Sequence, residues 1–242
     1  MKKFLKRFSM IILCGGRGKR LGEITKRIPK PMVKIGGKPI IQHKISYYIS
    51  QGIENFTFCL GYKGKILEKF LSKKNLNGYF SHGGVNTGIL KRIYISSYPL
   101  SDHIIISYGD TLAKINFNHL MKSHIKSNSS ITLVVAPIRN PFGLIDWDHR
   151  GKAINFKEKP ILNHFIGYAV LSPKFFKKIN KKIINLKNGE GIVKSIQLLI
   201  KKKEVNIYKF EDLQVTINSK KELKEVNTNF KKYFTLNENS KK

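Results

Sequence analysis

The chain has 242 residues, 41% of them hydrophobic and 15 of them Phe, which excludes a disordered chain and suffices for a sizeable α/β core. Its formal charge of +31 is spread as lysine along the whole length among Asn and Ile. With no nucleic-acid motif beside it, that charge reads as solvated lysine and not as a nucleic-acid groove.

The N-terminal MKKFLKRFSMIILCGG starts basic and then turns apolar, but the run MIILC is too short for a signal-peptide core. No stretch approaches the roughly 18 apolar residues that a membrane span needs. A soluble cytoplasmic protein without a membrane partner is therefore expected. SMIILC (9–14) reads as a buried strand and PIIQHKISYYISQG (39–52) as a helix stopped by Gly52. NFTFCLG (55–61) is a second strand and KGKILEKFLSKK (63–74) a second helix. DHIIISYGD (102–110) is a third strand, NFNHLMKSHIKS (116–127) a helix, and SITLVVAPI (130–138) a fourth strand. Cys14 and Cys59 lie in two of these apolar runs and read as small buried thiols, not as a disulfide framework.

After about residue 140 the alternation changes. GLIDWD, KAINFKE and HFIGYAVLS read as antiparallel additions, followed by helices at GIVKSIQLLIKKK (191–203) and SKKELKEVNTNFKKYF (219–234). The pattern predicts an α/β fold, Rossmann-like, with a mainly parallel mixed sheet and helices on both faces. It is expected as a single domain over residues 1–234, with a frayed tail at 235–242.

ILCGGRGKRLGEITKRIPKPM (12–32) follows the first strand, at the carboxyl edge where open α/β sheets bind ligands. Its glycines let the backbone approach an anion, and its Arg and Lys residues add charge-assisted bonds. Gly16-x-Gly18 lacks the third glycine of a dinucleotide fingerprint, and no Walker loop occurs anywhere in the chain.

Cys14-Gly-Gly-Arg-Gly-Lys-Arg-Leu21, then Thr25, then Pro29-Lys-Pro-Met32 and IGGKPII (35–41), resembles the signature of the sugar-1-phosphate nucleotidylyltransferases. The similarity continues in order through residues 9 to 227. GYKGKILEKF (61–70) resembles the second helix of the glucose-1-phosphate cytidylyltransferase branch, and NTGILKRI (86–93) the segment against the base. YGD (108–110) resembles the metal-binding strand end, and FG (142–143) with FKEKP (156–160) the sugar-phosphate site.

The resemblance implies that a sugar 1-phosphate oxygen attacks the α-phosphorus of an NTP, giving an NDP-sugar for surface polysaccharide or deoxysugar synthesis and releasing pyrophosphate. Such chemistry needs positioning and charge neutralisation, and no side-chain nucleophile. It implies a nucleotide lying against Leu13, Gly15, Gly16, Gly18, Thr87 and Gly88. Arg20 would stabilise the departing pyrophosphate, and Lys30, held between two prolines, would sit beside the α-phosphate. Arg17 and Lys19 are either phosphate ligands or solvated. Gly143, Glu158 and Lys159 would take the sugar and its phosphate. Asp110 would ligate Mg²⁺, which takes one or two protein oxygens besides phosphates and waters.

The second ligand has two candidates. Many relatives carry an Asp at the position of Thr216, whereas the acetylglucosamine 1-phosphate uridylyltransferases use an Asn that Asn218 matches. The implied partners are the NTP and sugar 1-phosphate substrates, with no nucleic acid and with self-association into a homo-oligomer left open. CTP with glucose 1-phosphate is the expected pair. GTP, UTP or dTTP, and a non-catalytic paralogue of the same fold, are the alternatives.

Overall fold

The computed structural model describes residues 2–97 and 102–230. After a short helix α1 (Lys2–Leu5) come strand β1 (Ser9–Leu13), a glycine loop, helix α2 (Glu23–Arg27) and the small hairpin of β2 (Lys34–Ile35) and β3 (Lys38–Pro39). Helix α3 (Ile40–Gln51), β4 (Asn55–Leu60), α4 (Gly64–Leu71), β5 (Gly78–His82) and α5 (Ile89–Ser96) follow. The chain continues through β6 (Ile104–Tyr108), β7 (Thr111–Ala113), α6 (Phe117–Ser127) and β8 (Ile131–Arg139). The last elements are β9 (Leu144–Trp147), β10 (Ala153–Lys157), β11 (Ile161–Leu171), α7 (Lys181–Ile184), α8 (Glu190–Lys201), β12 (Val205–Lys209), β13 (Gln214–Thr216) and α9 (Lys220–Thr228).

Seven strands form one sheet in the order β12-β8-β11-β6-β1-β4-β5. All pairings are parallel except those of β11, which runs antiparallel to both β6 and β8. The expected mixed, mainly parallel sheet is therefore present. Alternate residues of β1 enter opposite layers: Met10, Ile12 and Cys14 pack with α3, α4 and α6 on one face, and Ile11 with α5 and α8 on the other. Burial on both faces is why Met10–Leu13 form an unbroken apolar run instead of alternating.

Helix boundaries follow their caps. Gly52, at φ 98°, ends α3 with its amide on the Ile49 and Tyr48 carbonyls. The Asn116 side chain accepts the His119 amide to start α6. Of the expected C-terminal helix, residues 219–230 are described; 231–234 and the tail at 235–242 lie outside the described residues.

Both cysteines are free and buried, as expected. Burial pushes the Cys59 thiol up to about 12 and raises that of Cys14 further, so neither is a ready nucleophile. His124 is also buried, with Nδ1 2.7 Å from Thr132 Oγ1 and Nε2 3.0 Å from His103 Nδ1. Burial, aided by the charges of His103 and Lys174, lowers its pKa from 6.5 to about 3. The fold thus holds His124 neutral, while the unfolded chain takes up a proton near pH 6.5. Stability is complete above that pH and declines as pH falls. The urea midpoint is expected to drop between about pH 7 and pH 5, with a shallower drop in His124→Gln. Identical pH slopes for the two proteins would remove His124 as the source.

Candidate active site

The strand order reverses beside β1. The chain runs outward through β4 and β5, then returns to place β6 on the other side of β1. Open α/β sheets have their binding crevice at the carboxyl ends of such strands. Here Leu13, the last residue of β1, pairs with Cys59 and Tyr108, and its carbonyl accepts the Gly109 amide at 3.0 Å. A cavity of about 760 Å³ opens at this edge, lined by the 13–17 loop, Lys19, Lys30, Thr87, Arg92, Asp110 and the 187–189 turn, among others.

Its charge is one-sided. Arg17, Lys19, Lys30, Arg92 and Lys187 line it against Asp110 as the one carboxylate among the lining residues. That field suits a polyanion. Gly15 and Gly16 form one wall. A Cβ on Gly15 would come within 2.5 Å of Arg92 Nη1, so the bare backbone is required where loop and guanidinium meet. Gly16 faces open space. Gly18 lies outside the lining; its φ of 61° shapes the turn, and its carbonyl accepts the Thr25 hydroxyl at 3.0 Å. Thr87 lines the cavity, while Gly88 stands behind it as the N-cap of α5, against the Leu186 carbonyl.

Four expected residues converge in one cluster, of which Lys30 and Asp110 line the cavity while Arg20 and Asn218 are not among its lining residues. Lys30 Nζ lies 2.6 Å from Asp110 Oδ2 and donates to Asn218 Oδ1 at 3.1 Å. Arg20 Nη2 donates to the same amide oxygen at 2.8 Å. Lys30 opens a 3-10 turn between Pro29 and Pro31, and its side chain is only 12% exposed. The two prolines limit where its ammonium can point. Asp110 and Asn218 come from distant parts of the chain, joined by the antiparallel pair β7–β13. Asp110 accepts the Ile217 amide through its carbonyl at 3.2 Å. The capping box of α9, Ser219 with Glu222, also binds the Asn218 amide at 2.6 Å and fixes that residue from its other side. Leu21, beside Arg20, is buried with Leu112 and Ile217, which ties the loop to this pair.

The Thr216 hydroxyl points elsewhere, 3.1 Å from Thr111 Oγ1. Of the two candidates for a second metal ligand, Asn218 is the one brought to Asp110. A carboxylate and an amide oxygen, both on one ammonium that stands in for a cation, fit a hard divalent ion completed by phosphates and water.

Glu158 and Lys159 pair with each other at 3.3 Å on an exposed turn after β10 and are not among the residues lining the cavity. Gly143 lies beside them, an added Cβ falling 3.4 Å from Glu158 Oε2. The two pieces of the expected sugar-phosphate motif therefore meet, at a distance from the phosphate loop.

Sequence reasoning missed Arg92. It is buried without a carboxylate partner among the described residues and donates to the carbonyls of Leu60 at 2.7 Å, Thr87 at 2.9 Å and Gly84. Burial lowers its pKa, with Cys59 opposing. In LKRI nothing distinguishes this Arg from the half-buried Lys91 beside it. Lys187, Asn188 and Gly189 were missed as well; the turn they form carried no signal beyond loop composition.

The Nucleotidyl transferase family model matches residues 9–218. A probable glucose-1-phosphate cytidylyltransferase of Bacillus subtilis is 33% identical over 243 residues, covering 90% of this chain and 94% of its own. A D-glycero-alpha-D-manno-heptose 1-phosphate guanylyltransferase of Aneurinibacillus thermoaerophilus is 30% identical over 157 residues, covering 62% of this chain and 66% of its own. Among solved structures, HddC from Yersinia pseudotuberculosis superposes with a TM-score of 0.70 at 22% identity, covering 92% of this chain and 99% of that one, and shares the fold. The chain belongs to the nucleotidyl transferase family, among the sugar-1-phosphate nucleotidylyltransferases.

Proposed function

We propose that the protein transfers the cytidylyl group of CTP to glucose 1-phosphate and releases pyrophosphate, with Mg²⁺ held by Asp110 and Asn218. The observation that carries this reading is that Lys30 and Asp110 pair on the lining of a cationic cavity at the carboxyl edge of β1, with Asn218 brought to the same ammonium. The choice of CTP and glucose rests on the Bacillus subtilis relative.

The backbone of Gly15 and Gly16 receives the phosphates, and Arg17 and Lys19 neutralise them. Lys30 moves from Asp110 to the α-phosphate, where charge grows as the sugar phosphate oxygen attacks in line. Arg20 holds Asn218 and takes up charge on the departing pyrophosphate. Asp110 and Asn218 would hold the metal ion, which would supply positive charge against that of the phosphates. Gly143, Glu158 and Lys159 are assigned to the sugar and its phosphate; their mutual proximity supports them as one unit.

The Aneurinibacillus relative supports a second reading, with GTP and a heptose phosphate. Pyrophosphate release over CTP, GTP, UTP and dTTP, each with glucose, mannose and heptose 1-phosphates, separates the two. CTP with glucose 1-phosphate is expected to give the dominant product. Another dominant pair would overturn the substrate assignment and leave the family intact.

A further inference from the structure

A helix face that packs into an apolar layer calls for aliphatic residues, yet α3 places Lys44 there. Lys44 is 1% exposed and shares its face with Ile40, Ile41, Ile45 and Tyr48. Its ammonium has no carboxylate partner among the described residues; it donates to the Thr111 carbonyl and, at 2.8 Å, to Tyr168 Oη. The ring faces of Tyr168 and Tyr48 lie 4.7 and 5.5 Å away. A buried cation held only by neutral groups is costly, so it needs every acceptor that it meets.

The network ends on one atom. Tyr168 Oη donates to the Thr111 carbonyl oxygen at 2.8 Å, so that oxygen takes two strong donors, from α3 and from β11. Tyr48 Oη donates to Tyr168 Oη at 3.1 Å and lies 2.7 Å from Ser107 Oγ on β6, which completes the set. Thr111 follows Asp110 directly and faces Thr216 in β7–β13, the pair that brings Asp110 beside Asn218. Lys44 lines a separate cavity of about 210 Å³ and is not among the residues lining the cavity at the β1 edge.

We propose that Lys44 is a positioning residue for the metal ligands. Together with Tyr168 it clamps the Thr111 carbonyl from behind, which sets where β7 begins and therefore how Asp110 stands to Asn218. The proposal rests on the assignment of the metal to those two residues. Partners one step removed from a metal ligand commonly change metal affinity by about 10- to 100-fold.

The test is Mn²⁺ binding in the presence of CTP without sugar phosphate, read from the loss of the free-ion EPR signal. Lys44→Met, which keeps the volume and removes both donations, is expected to weaken Mn²⁺ binding about tenfold or more. Metal-free CTP binding should not change. Tyr168→Phe removes one donor and should shift Mn²⁺ binding in the same direction by less. Unchanged Mn²⁺ binding in folded Lys44→Met, with only a lower melting temperature, would overturn the proposal. Should Lys44→Met fail to fold, Tyr168→Phe decides in the same way. Asp110→Asn separates the two layers of the argument: unchanged Mn²⁺ binding in that variant would overturn the metal assignment itself, and the proposal with it.

Discussion

Replacing Lys30 with alanine is expected to lower kcat at least about a hundredfold, the scale for losing one preorganised charge-stabilising group. The effect should fall on kcat more than on KM for the nucleotide, because an ammonium at the α-phosphorus meets more negative charge in the transition state than in the ground state. The side chain is well placed for this. It is fixed between Pro29 and Pro31, largely shielded from water, and already 2.6 Å from a carboxylate that it can leave when phosphate enters. Arg20→Ala is expected to cost turnover on the same scale, since the guanidinium holds Asn218 and, in the proposed function, would also meet the leaving pyrophosphate. Steady-state kinetics on the two variants made separately check this. Near-normal turnover in both would remove them from the chemistry.

Asp110→Asn is expected to abolish most activity and to raise the metal concentration needed for what remains. The substitution keeps an oxygen acceptor for Lys30 and nearly the same shape, so the change isolates the charge. With the carboxylate gone, two neutral amide oxygens would face a divalent ion, a much weaker set for a hard cation. Activity measured over a wide range of Mg²⁺ gives the answer. A variant with wild-type metal dependence would show that the ion binds elsewhere.

The parts of this molecule that were legible in the sequence are those in which one stretch carries its own reason. SMIILC, NFTFCLG and IIISYGD are mostly apolar without strict alternation because parallel strands are covered on both faces, and each proved to be a central strand. The glycine loop and the Pro-Lys-Pro turn were legible for the same reason, since backbone approach and a fixed φ are written in residue type. Edge elements were not. β5 (GYFSH) and β12 (VNIYK) are short, partly exposed and interrupted by Gly, Asn or Lys, so neither shows a clean period. The helix α5 was hidden because ILKRIYIS is rich in β-branched residues, and its helicity comes from packing Leu90 and Ile93 against the sheet.

The site divides along the same line. Asp110 announces itself as an acid closing an apolar strand. Asn218 was reachable only by resemblance, and its nearness to Asp110 depends on the two three-residue strands β7 and β13, which no local pattern reveals. Arg92 and Lys44 could not be read at all. In a chain with 46 Lys and Arg residues, a buried cation looks like the exposed ones until tertiary packing shows what surrounds it.

The most direct test of the central claim is a crystal structure with Mn²⁺, CTP and a non-reacting sugar phosphonate, with the metal located by its anomalous signal. The expected result is an anomalous peak in contact with both Asp110 and Asn218, phosphates against the Gly15–Gly16 backbone, and Lys30 moved from Asp110 to the α-phosphate. A peak touching neither side chain, or a triphosphate bound away from that loop, would contradict it.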